Sequence, residues 1–248
     1  RKEDRSVLHM PEGHPYAFNW LHVNADQVEN AYEELGPAFF AEKYNIAYWA
    51  WELDPFPDQW LDCFRHFDEI WVGSSFVQRI VASVSPIPVI VMGAPIAERP
   101  DPGITRAQLG LPDDRFLFLF VFDMLSYVER KNPFGVIDAY RRAFGSEAPH
   151  TKLVIKVTNL DRFPQHRERL EKEIESVSGI LIDRYLDREV LNGMFHTADA
   201  YVSLHRSEGF GLTIGEAMRL GKPTVATAYS STQDYLNVAN GYPVGYRL

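Results

Sequence analysis

The sequence is poor in cysteine and in positive charge. Cys63 is the single cysteine, which excludes an internal disulfide and is typical of a reducing compartment, so we predict a cytoplasmic location. The chain has 25 Lys and Arg against 34 Asp and Glu, a formal net charge of −9. Because a nucleic-acid-binding surface needs clustered cations, the composition argues against nucleic acid as a partner.

Long apolar runs are also missing. No stretch approaches the roughly 20 apolar residues that a membrane-spanning helix needs. Peripheral attachment to a membrane is not readable from the sequence. The 248 residues are 46% hydrophobic and 24% charged, which predicts a globular protein with a sizeable core.

Several motifs of other enzyme classes are absent. No Asp-x-Asp ends a strand candidate, and the His and Cys spacing does not suit zinc, so we expect no metal and no cofactor. No G-x-S-x-G turn is found, which argues against a serine hydrolase of that type. No G-x-G-x-x-G follows an early strand, which disfavours a dinucleotide-dependent dehydrogenase.

Short apolar runs alternate with amphipathic segments along the chain. Runs of four to seven apolar residues are typical of strands buried on both faces of a parallel sheet. The predicted strands are Asn45–Trp49, Glu69–Gly73, Pro88–Met92, Phe116–Phe122, Lys152–Val157, Gly179–Ile182, Ala200–Leu204 and Thr224–Ala226. The predicted helices are Asp26–Glu42, Asp58–Phe67, Ser75–Ser83, Pro133–Phe144, Pro164–Val177, Arg188–His196, Leu212–Leu220 and Thr232–Val238. This alternation predicts an α/β protein with right-handed crossover units and a doubly wound sheet.

A Pro- and Gly-rich stretch over residues 93–114 interrupts the alternation and reads as an interdomain linker. We therefore predict two domains, residues 1–96 and 97–248. The first series of elements is short. The chain also begins at Arg1 without an initiator Met and stops at Leu248 after an apolar stretch, so we expect a piece of a longer protein, truncated at both ends.

Two glutamates bracket a glycine-rich turn between the strand Ala200–Leu204 and the helix from Leu212. Glu208 and Glu216 lie eight positions apart, around Gly209 and Gly211. Ligands of open α/β sheets bind outside the carboxyl ends of the strands, and a helix N-terminus favours phosphate. The pattern suits a polyhydroxylated ligand that carries a diphosphate. An ordinary acidic helix start with turn glycines explains the spacing equally well.

The surrounding residues resolve this choice. The run from Glu208 to Thr227 reads EGFGLTIGEAMRLGKPTVAT, and it resembles the E-x7-E signature of the family 4 (group 1) glycosyltransferases. The resemblance implies the GT-B fold of two Rossmann-like domains, here with an incomplete first domain. It also implies transfer of a sugar, with retention and without a metal, from a nucleotide-sugar donor to a glycan, lipid-linked or small-molecule acceptor, as in polysaccharide biosynthesis.

The resemblance assigns roles to residues of the second domain. Glu208 contacts the transferred sugar, Glu216 binds the ribose, and the amides of Gly209, Phe210, Gly211 and Leu212 hold the sugar and phosphates. Lys131 matches the lysine that holds the diphosphate. The partner arginine of the family is absent, since Ser126 stands at its position, and Arg130 is the candidate substitute. A solvated charge at a helix start is the other interpretation of Arg130.

Further candidates are weaker. Lys156 ends a predicted strand at the same edge of the sheet, and Tyr185 and Leu186 lie in the loop that the family places against the nucleobase. Tyr185 either stacks on the base or packs as an ordinary tyrosine. His205 precedes Glu208 and is either a titrating group near the sugar or a structural residue.

The first domain departs from the family pattern. Where the family often shows His-Asp after a strand, this chain has Trp51-Glu52. Glu52 is a candidate catalytic contact with donor or acceptor, and Trp49 or Trp51 is a candidate stacking surface for a sugar, although tryptophan usually packs. These departures keep a second hypothesis open: a nucleotide-sugar-binding or regulatory module with impaired catalysis.

Overall fold

The computed structural model describes residues 16–97 and 99–248. The chain forms two compact units that divide between Gly93 and Ala94. The predicted boundary near Ala97 falls in the extended segment that follows this point. The chain start at Arg1, on which the expectation of a truncated N-terminus was based, lies outside the described residues.

The first unit is a parallel sheet of four strands in the order β1-β2-β3-β4. Its strands are β1 (Phe18–Leu21), β2 (Tyr44–Trp49), β3 (Glu69–Val72) and β4 (Val89–Val91). Its helices are α1 (Val28–Leu35), α2 (Pro37–Phe40) and α3 (Ser75–Ala82), with 3-10 helices at Ala25–Gln27 and Asp58–His66. Each strand lies beside its neighbour in sequence, as consecutive strands of a sheet commonly do.

Three elements of the first unit differ from prediction. The helix predicted over Asp58–Phe67 is a 3-10 helix over Asp58–His66. The predicted helix Asp26–Glu42 is split, because Gly36 has a φ of +78° and Pro37, which lacks an amide N–H, begins α2. Strand β1 was not predicted. It has four residues, and its Phe18 and Trp20 are each 59% exposed, so no continuous buried run marks it in the sequence.

The second unit is a parallel sheet of six strands in the order β10-β9-β8-β5-β6-β7. Its strands are β5 (Phe116–Asp123), β6 (Thr151–Thr158), β7 (Ile180–Asp183), β8 (Ala200–Ser203), β9 (Thr224–Thr227) and β10 (Tyr242–Val244). Its α-helices are α4 (Arg106–Leu109), α5 (Val128–Lys131), α6 (Pro133–Phe144), α7 (Pro164–Glu175), α8 (Arg188–Thr197) and α9 (Leu212–Arg219). Short 3-10 helices lie at Met124–Ser126, Leu160–Arg162 and Ser230–Asp234.

Helices cover both faces of the second sheet, which gives the doubly wound arrangement that the alternation predicted. On one face, Ile137 of α6 and Leu170 of α7 pack in one hydrophobic core. On the other, Phe195 of α8 and Ile214 of α9 pack in a second core. The chain changes face between β5 and β8, which are adjacent in the sheet but not in sequence. This is the topological switch point, where open α/β sheets bind their ligands.

Three parts of the second unit were not predicted correctly. Helix α4 lies inside the predicted linker, where Thr105 forms a capping box with Gln108. The terminal strand β10 was not predicted. The predicted helix Thr232–Val238 is instead the 3-10 helix Ser230–Asp234, because the Thr232 hydroxyl donates to the carbonyl of Thr227 at 2.6 Å and draws the chain back to β9.

Candidate active site

Hydrogen bonds join the loops that follow β5 and β8 at the switch point. The amide of Arg206 donates to the carbonyl of Arg130 at 2.8 Å, and the Asn132 side chain donates to the carbonyl of Leu204 at 2.7 Å. Asn132 also caps α6 by accepting from the Gly135 amide at 3.2 Å. These bonds place α5, which carries Arg130 and Lys131, directly beside the turn that begins at Glu208.

Glu208 forms ion pairs with both cations of α5. Its Oε1 lies 2.5 Å from Nζ of Lys131, and its Oε2 lies 3.3 Å from Nη1 of Arg130. Glu208 is 7% exposed. Burial works to raise the pKa of this carboxyl, but the charges of Lys131 and Arg130 outweigh it and the pKa lies below its usual value. Glu208 is therefore a buried, ionised acceptor.

The two cations are not equally available to a ligand. The guanidinium of Arg130 is 6% exposed, and it donates to the carbonyls of Ser126 at 3.1 Å and Ser207 at 2.9 Å. The Lys131 ammonium is more open, and an ammonium has three donors, so it can keep Glu208 and still meet an anion. Arg130 is thus held by protein oxygens, whereas Lys131 is positioned to contact both Glu208 and a bound anion.

The glycine turn leads directly into α9. Gly211 has a φ of +80°, a left-handed conformation that favours glycine, and its carbonyl accepts from the amides of Ile214 and Gly215 at 3.0 Å each. Helix α9 therefore starts at Leu212, and the helix supplies no carbonyl acceptor for its first two amides, those of Leu212 and Thr213. With the positive end of the helix dipole, they form a binding surface suited to an anion.

His205 lies behind Glu208. It is 1% exposed, its Nδ1 is 3.2 Å from the Ser203 hydroxyl, and its Nε2 is 3.4 Å from the carbonyl of Tyr229. Burial lowers the pKa of His205, although the negative charge of Glu208 opposes this shift. The structure places His205 as a packed, hydrogen-bonded residue beneath the turn.

Glu216 has a partner that the sequence did not reveal. Its Oε1 accepts from Nη2 of Arg99, whose Nη1 also donates to Oδ1 of Asn192 at 2.9 Å. Arg99 is 6% exposed, and its guanidinium lies 5.6 Å from the centre of the Phe195 ring. Burial and the nearby Arg188 lower the pKa of Arg99 to about 10. Arg99 comes from the predicted linker, so no local pattern links it to Glu216.

The remaining donor-site candidates of the second unit lie around the ends of β6 and β7. Lys156 is 4% exposed, and burial lowers the pKa of its ammonium against the opposing charges of Asp123 and Asp183. Tyr185 is 82% exposed in the loop before α8, whereas Leu186 packs against the core of that face. An exposed Tyr185 does not pack as an ordinary core tyrosine.

In the first unit, the end of β2 and the residues that follow it form an aromatic cluster. Trp49 is 1% exposed and stacks on Phe56, with ring centroids 5.7 Å apart. Trp51 is half-buried, with Trp60 at 5.1 Å, and Glu52 beside it is also half-buried. Trp49 is therefore too buried to offer a stacking surface to a sugar, and of the two tryptophans only Trp51 has an accessible part.

Residues 16–97 and 99–248 contain no group of three or more His, Cys, Asp or Glu side chains arranged to hold a metal ion. Within the same part of the chain, no helix combines the length and the apolar character that crossing a bilayer requires.

The sequence of the second unit decides the family. Residues 103–244, more than half of the chain, match the family described as glycosyl transferases group 1. The chain belongs to the group 1 glycosyltransferases. The match covers the strands, the turn and the helices that build the site around Lys131 and Glu208, and it confirms the resemblance of the Glu208–Thr227 run.

Solved structures of GT-B glycosyltransferases resemble the fold. They include HepE of Anabaena in complex with UDP and glucose (TM-score 0.70, 17% identity) and the pneumococcal O-GlcNAc transferase GtfA in complex with UDP and GlcNAc (TM-score 0.63, 15% identity). A third is a UDP-forming α,α-trehalose-phosphate synthase from Burkholderia vietnamiensis (TM-score 0.66, 15% identity). The predicted fold class is confirmed by these neighbours and by the two parallel sheets.

The neighbours are longer proteins. The matches cover 94%, 93% and 91% of this chain but 65%, 46% and 60% of HepE, GtfA and the synthase. The chain thus spans about half to two thirds of their lengths. No curated protein matches its sequence.

Proposed function

We propose that this chain is the donor-binding core of a glycosyltransferase that transfers a sugar from a nucleoside diphosphate sugar to an acceptor. The observation that carries the proposal is the meeting of Lys131 and Glu208 at the switch point of the second sheet, beside the glycine turn of α9. This arrangement combines an accessible cation, a helix N-terminus and a carboxylate acceptor, which are the groups that a sugar diphosphate needs.

Each group has a proposed task. Lys131 and the amides of Gly209–Leu212 stabilise the negative charge that develops on the leaving diphosphate, as positive groups do in other phosphate chemistry. Glu208 accepts hydrogen bonds from hydroxyls of the transferred sugar. Glu216 does the same for the ribose, with the oxygen that Arg99 does not occupy. The nucleobase lies against Tyr185 and Leu186.

The finer features of the reaction rest on the family. We propose retention at the anomeric carbon and charge stabilisation by side chains and amides in place of a metal ion. HepE and GtfA were solved in complex with UDP, which makes UDP-sugars the first donors to test. The acceptor, a glycan, a lipid-linked sugar or a small molecule, is proposed to be recognised by the first unit, with Glu52 as its candidate contact.

One observation favours a second candidate function, a nucleotide-sugar-binding module with impaired catalysis. The cation proposed to replace the missing phosphate arginine, Arg130, is buried and holds Ser126 and Ser207. This leaves Lys131 as the accessible cation beside the turn. A module with one such cation can bind a diphosphate and yet stabilise a departing diphosphate poorly.

Donor binding and sugar release, measured together, test the proposal. UDP-glucose and UDP-GlcNAc are titrated by calorimetry, and free sugar and UDP are then followed over hours. A ligand at 100 times its dissociation constant raises stability by about 2.7 kcal/mol, so thermal shifts screen further nucleotides. Lys131→Met is expected to weaken binding at least tenfold, whereas Lys172→Met, at an exposed lysine of α7, is the matched control.

The outcomes separate the two candidates. Binding with release of UDP supports the transferase. Binding without any transfer or hydrolysis supports the impaired module. Failure to bind any nucleotide, or binding that Lys131→Met leaves intact, contradicts the donor site itself.

A further inference from the structure

The segment Ser230–Tyr235 holds both ends of the glycine turn. At the first end, the amide of Glu208 donates to the Ser230 hydroxyl at 2.8 Å, and the amide of Ser231 donates to the carbonyl of Glu208 at 3.3 Å. Ser230 has a φ of +64°, an uncommon conformation for a residue with a side chain. The chain thus adopts an unfavourable backbone angle where it grips Glu208.

Tyr235 holds the other end. Its hydroxyl donates to the carbonyl of Phe210 at 2.7 Å, and its ring lies 5.5 Å from the Phe210 ring. A Cβ atom added to Gly211 would come within 2.7 Å of the same hydroxyl. The turn and the Tyr235 hydroxyl therefore fit closely, and the fit requires glycine at position 211.

The backbone of Tyr235 is fixed on both sides. Its amide donates to the carbonyl of Thr232 at 3.3 Å, and its carbonyl accepts from the Asn240 side chain at 2.8 Å. Thr232 is in turn bound to the end of β9 through the carbonyl of Thr227 at 2.6 Å. Because these bonds reach a strand of the sheet, the hydroxyl of Tyr235 has a defined position relative to the turn.

The bond to Phe210 fixes a peptide plane. In a trans peptide the C=O and the following N–H point in opposite directions. With the Phe210 carbonyl directed at Tyr235, the Gly211 N–H is directed away from it. Without the hydroxyl, this peptide, which lies next to a glycine, is free to rotate.

We propose that Tyr235 is a positioning residue, whose hydroxyl holds the Phe210–Gly211 peptide so that the Gly211 amide and the first amides of α9 are preorganised for the diphosphate of the donor. The inference rests on the proposed function. Burial raises the pKa of the Tyr235 hydroxyl and the negative charge of Glu208 adds to the effect, so the group stays protonated and remains a donor.

Replacement of the hydroxyl tests this role. Tyr235→Phe keeps the ring and removes the donor. Because the hydrogen bond to Phe210 is part-buried, its removal is expected to lower the affinity for UDP about tenfold. Affinity for uridine, which has no phosphate, is expected to change less than about twofold. A purely structural role of Tyr235 would weaken both ligands alike.

Tyr140→Phe is the matched control. Its hydroxyl lies 2.7 Å from the Thr151 hydroxyl at the edge of a core on the other face of the sheet. The substitution removes a tyrosine hydrogen bond of similar length away from the turn. It is expected to leave the affinities for UDP and uridine unchanged.

A second measurement needs no ligand. Amide hydrogen exchange in the peptide that contains Gly209–Leu212 is expected to rise in Tyr235→Phe and not in Tyr140→Phe, because the turn loses the hydrogen bond from the Tyr235 hydroxyl to the Phe210 carbonyl. Gly211→Ala is expected to raise it as well, since its methyl group meets the Tyr235 hydroxyl.

The results distinguish this inference from the proposed function. Faster exchange in the turn together with a selective loss of UDP affinity supports the positioning role. Unchanged exchange and unchanged UDP affinity in Tyr235→Phe overturn it, even if the unaltered protein binds UDP well. If the unaltered protein binds no nucleotide, the proposed function fails, and the exchange data then decide only whether Tyr235 holds the turn.

Discussion

β8 and β2 are both inner strands of parallel sheets, yet the chain around the end of each is built differently. After β8, charged and polar groups are buried and paired, as in Glu208 with Lys131. At the end of β2, Trp49 is buried among aromatic neighbours, and Glu52, three residues later, is only half-buried. Burying charge costs free energy unless the charge is paired. Because the region after β8 buries paired charges, we place ligand binding there.

The two regions are also held in place by different interactions. The turn after β8 is held by directional hydrogen bonds: Arg130 and Tyr235 donate to its carbonyls, and the Ser230 hydroxyl accepts from the Glu208 amide. The region after β2 is held largely by contact between rings, such as Trp49 on Phe56. Hydrogen bonds fix orientation, which a binding site requires, whereas apolar packing mainly contributes stability.

The largest expected effect is on the aromatic cluster. Trp49→Ala leaves a cavity in the first unit and is expected to lower the free energy of unfolding by about 4 kcal/mol, measured by urea denaturation. Trp51→Ala, at a half-buried ring, is expected to cost less than half as much. UDP affinity is expected to stay within about twofold in both variants. A large loss of UDP affinity in Trp49→Ala would show that the aromatic cluster at the end of β2 takes part in nucleotide binding, and it would contradict a donor site at the turn after β8.

The next effect concerns the buried ion pairs. Glu208→Gln leaves Arg130 buried without its counter-charge and is expected to lower the free energy of unfolding by about 3 kcal/mol. Glu52→Gln is the matched variant after β2, and because this side chain is only half-buried its expected loss is smaller, about 1 kcal/mol or less. Urea denaturation of both variants checks this contrast. Equal losses would show that the two glutamates do not differ as the structure indicates.

The smallest effect is a pH dependence from His205. Its pKa is lowered in the folded protein by burial, so as the pH falls below the ordinary value of 6.5 the unfolded chain takes up a proton first. The free energy of unfolding is therefore expected to fall as the pH drops from 6.5 towards the folded pKa. His205→Asn is expected to flatten this slope.

The control for this slope is His150→Asn, at an exposed histidine. It is expected to leave the dependence unchanged between pH 6.5 and 5. Glu208 acts at lower pH: its folded pKa is depressed, so its stabilisation is present above the ordinary value of 4.5 and is lost as the pH falls through the folded pKa. A slope that persists in His205→Asn would contradict the neutral, buried state of this ring.

What the sequence could predict follows from how local each feature is. The strands β8 and β9 and the turn around Glu208 between them lie in one continuous stretch with apolar runs and turn-forming residues. These features were therefore recognised from the sequence. The contact of Arg99 with Glu216 joins residues far apart in the chain, one of them in a Pro-rich segment, and no local pattern encodes it. The burial of Arg130 depends likewise on the carbonyl of Ser207.

The helix predicted over Thr232–Val238 shows how tertiary contacts override local preference. The Thr232 hydroxyl binds the end of β9, and the Asn240 side chain takes the carbonyl of Tyr235 that a continuing helix would have used. The resulting 3-10 segment brings Ser230 and Tyr235 to the glycine turn. The contacts of Ser230 and Tyr235 with the turn therefore depend on this segment not being an α-helix, which sequence periodicity alone did not reveal.

Amide hydrogen exchange with and without saturating UDP tests the central claim most directly. The account predicts protection in peptides covering residues 208–216 and 128–133, with no change over residues 49–60. Bound UDP that leaves residues 208–216 unprotected, or that protects residues 49–60 in their place, would contradict a donor site at the glycine turn of α9.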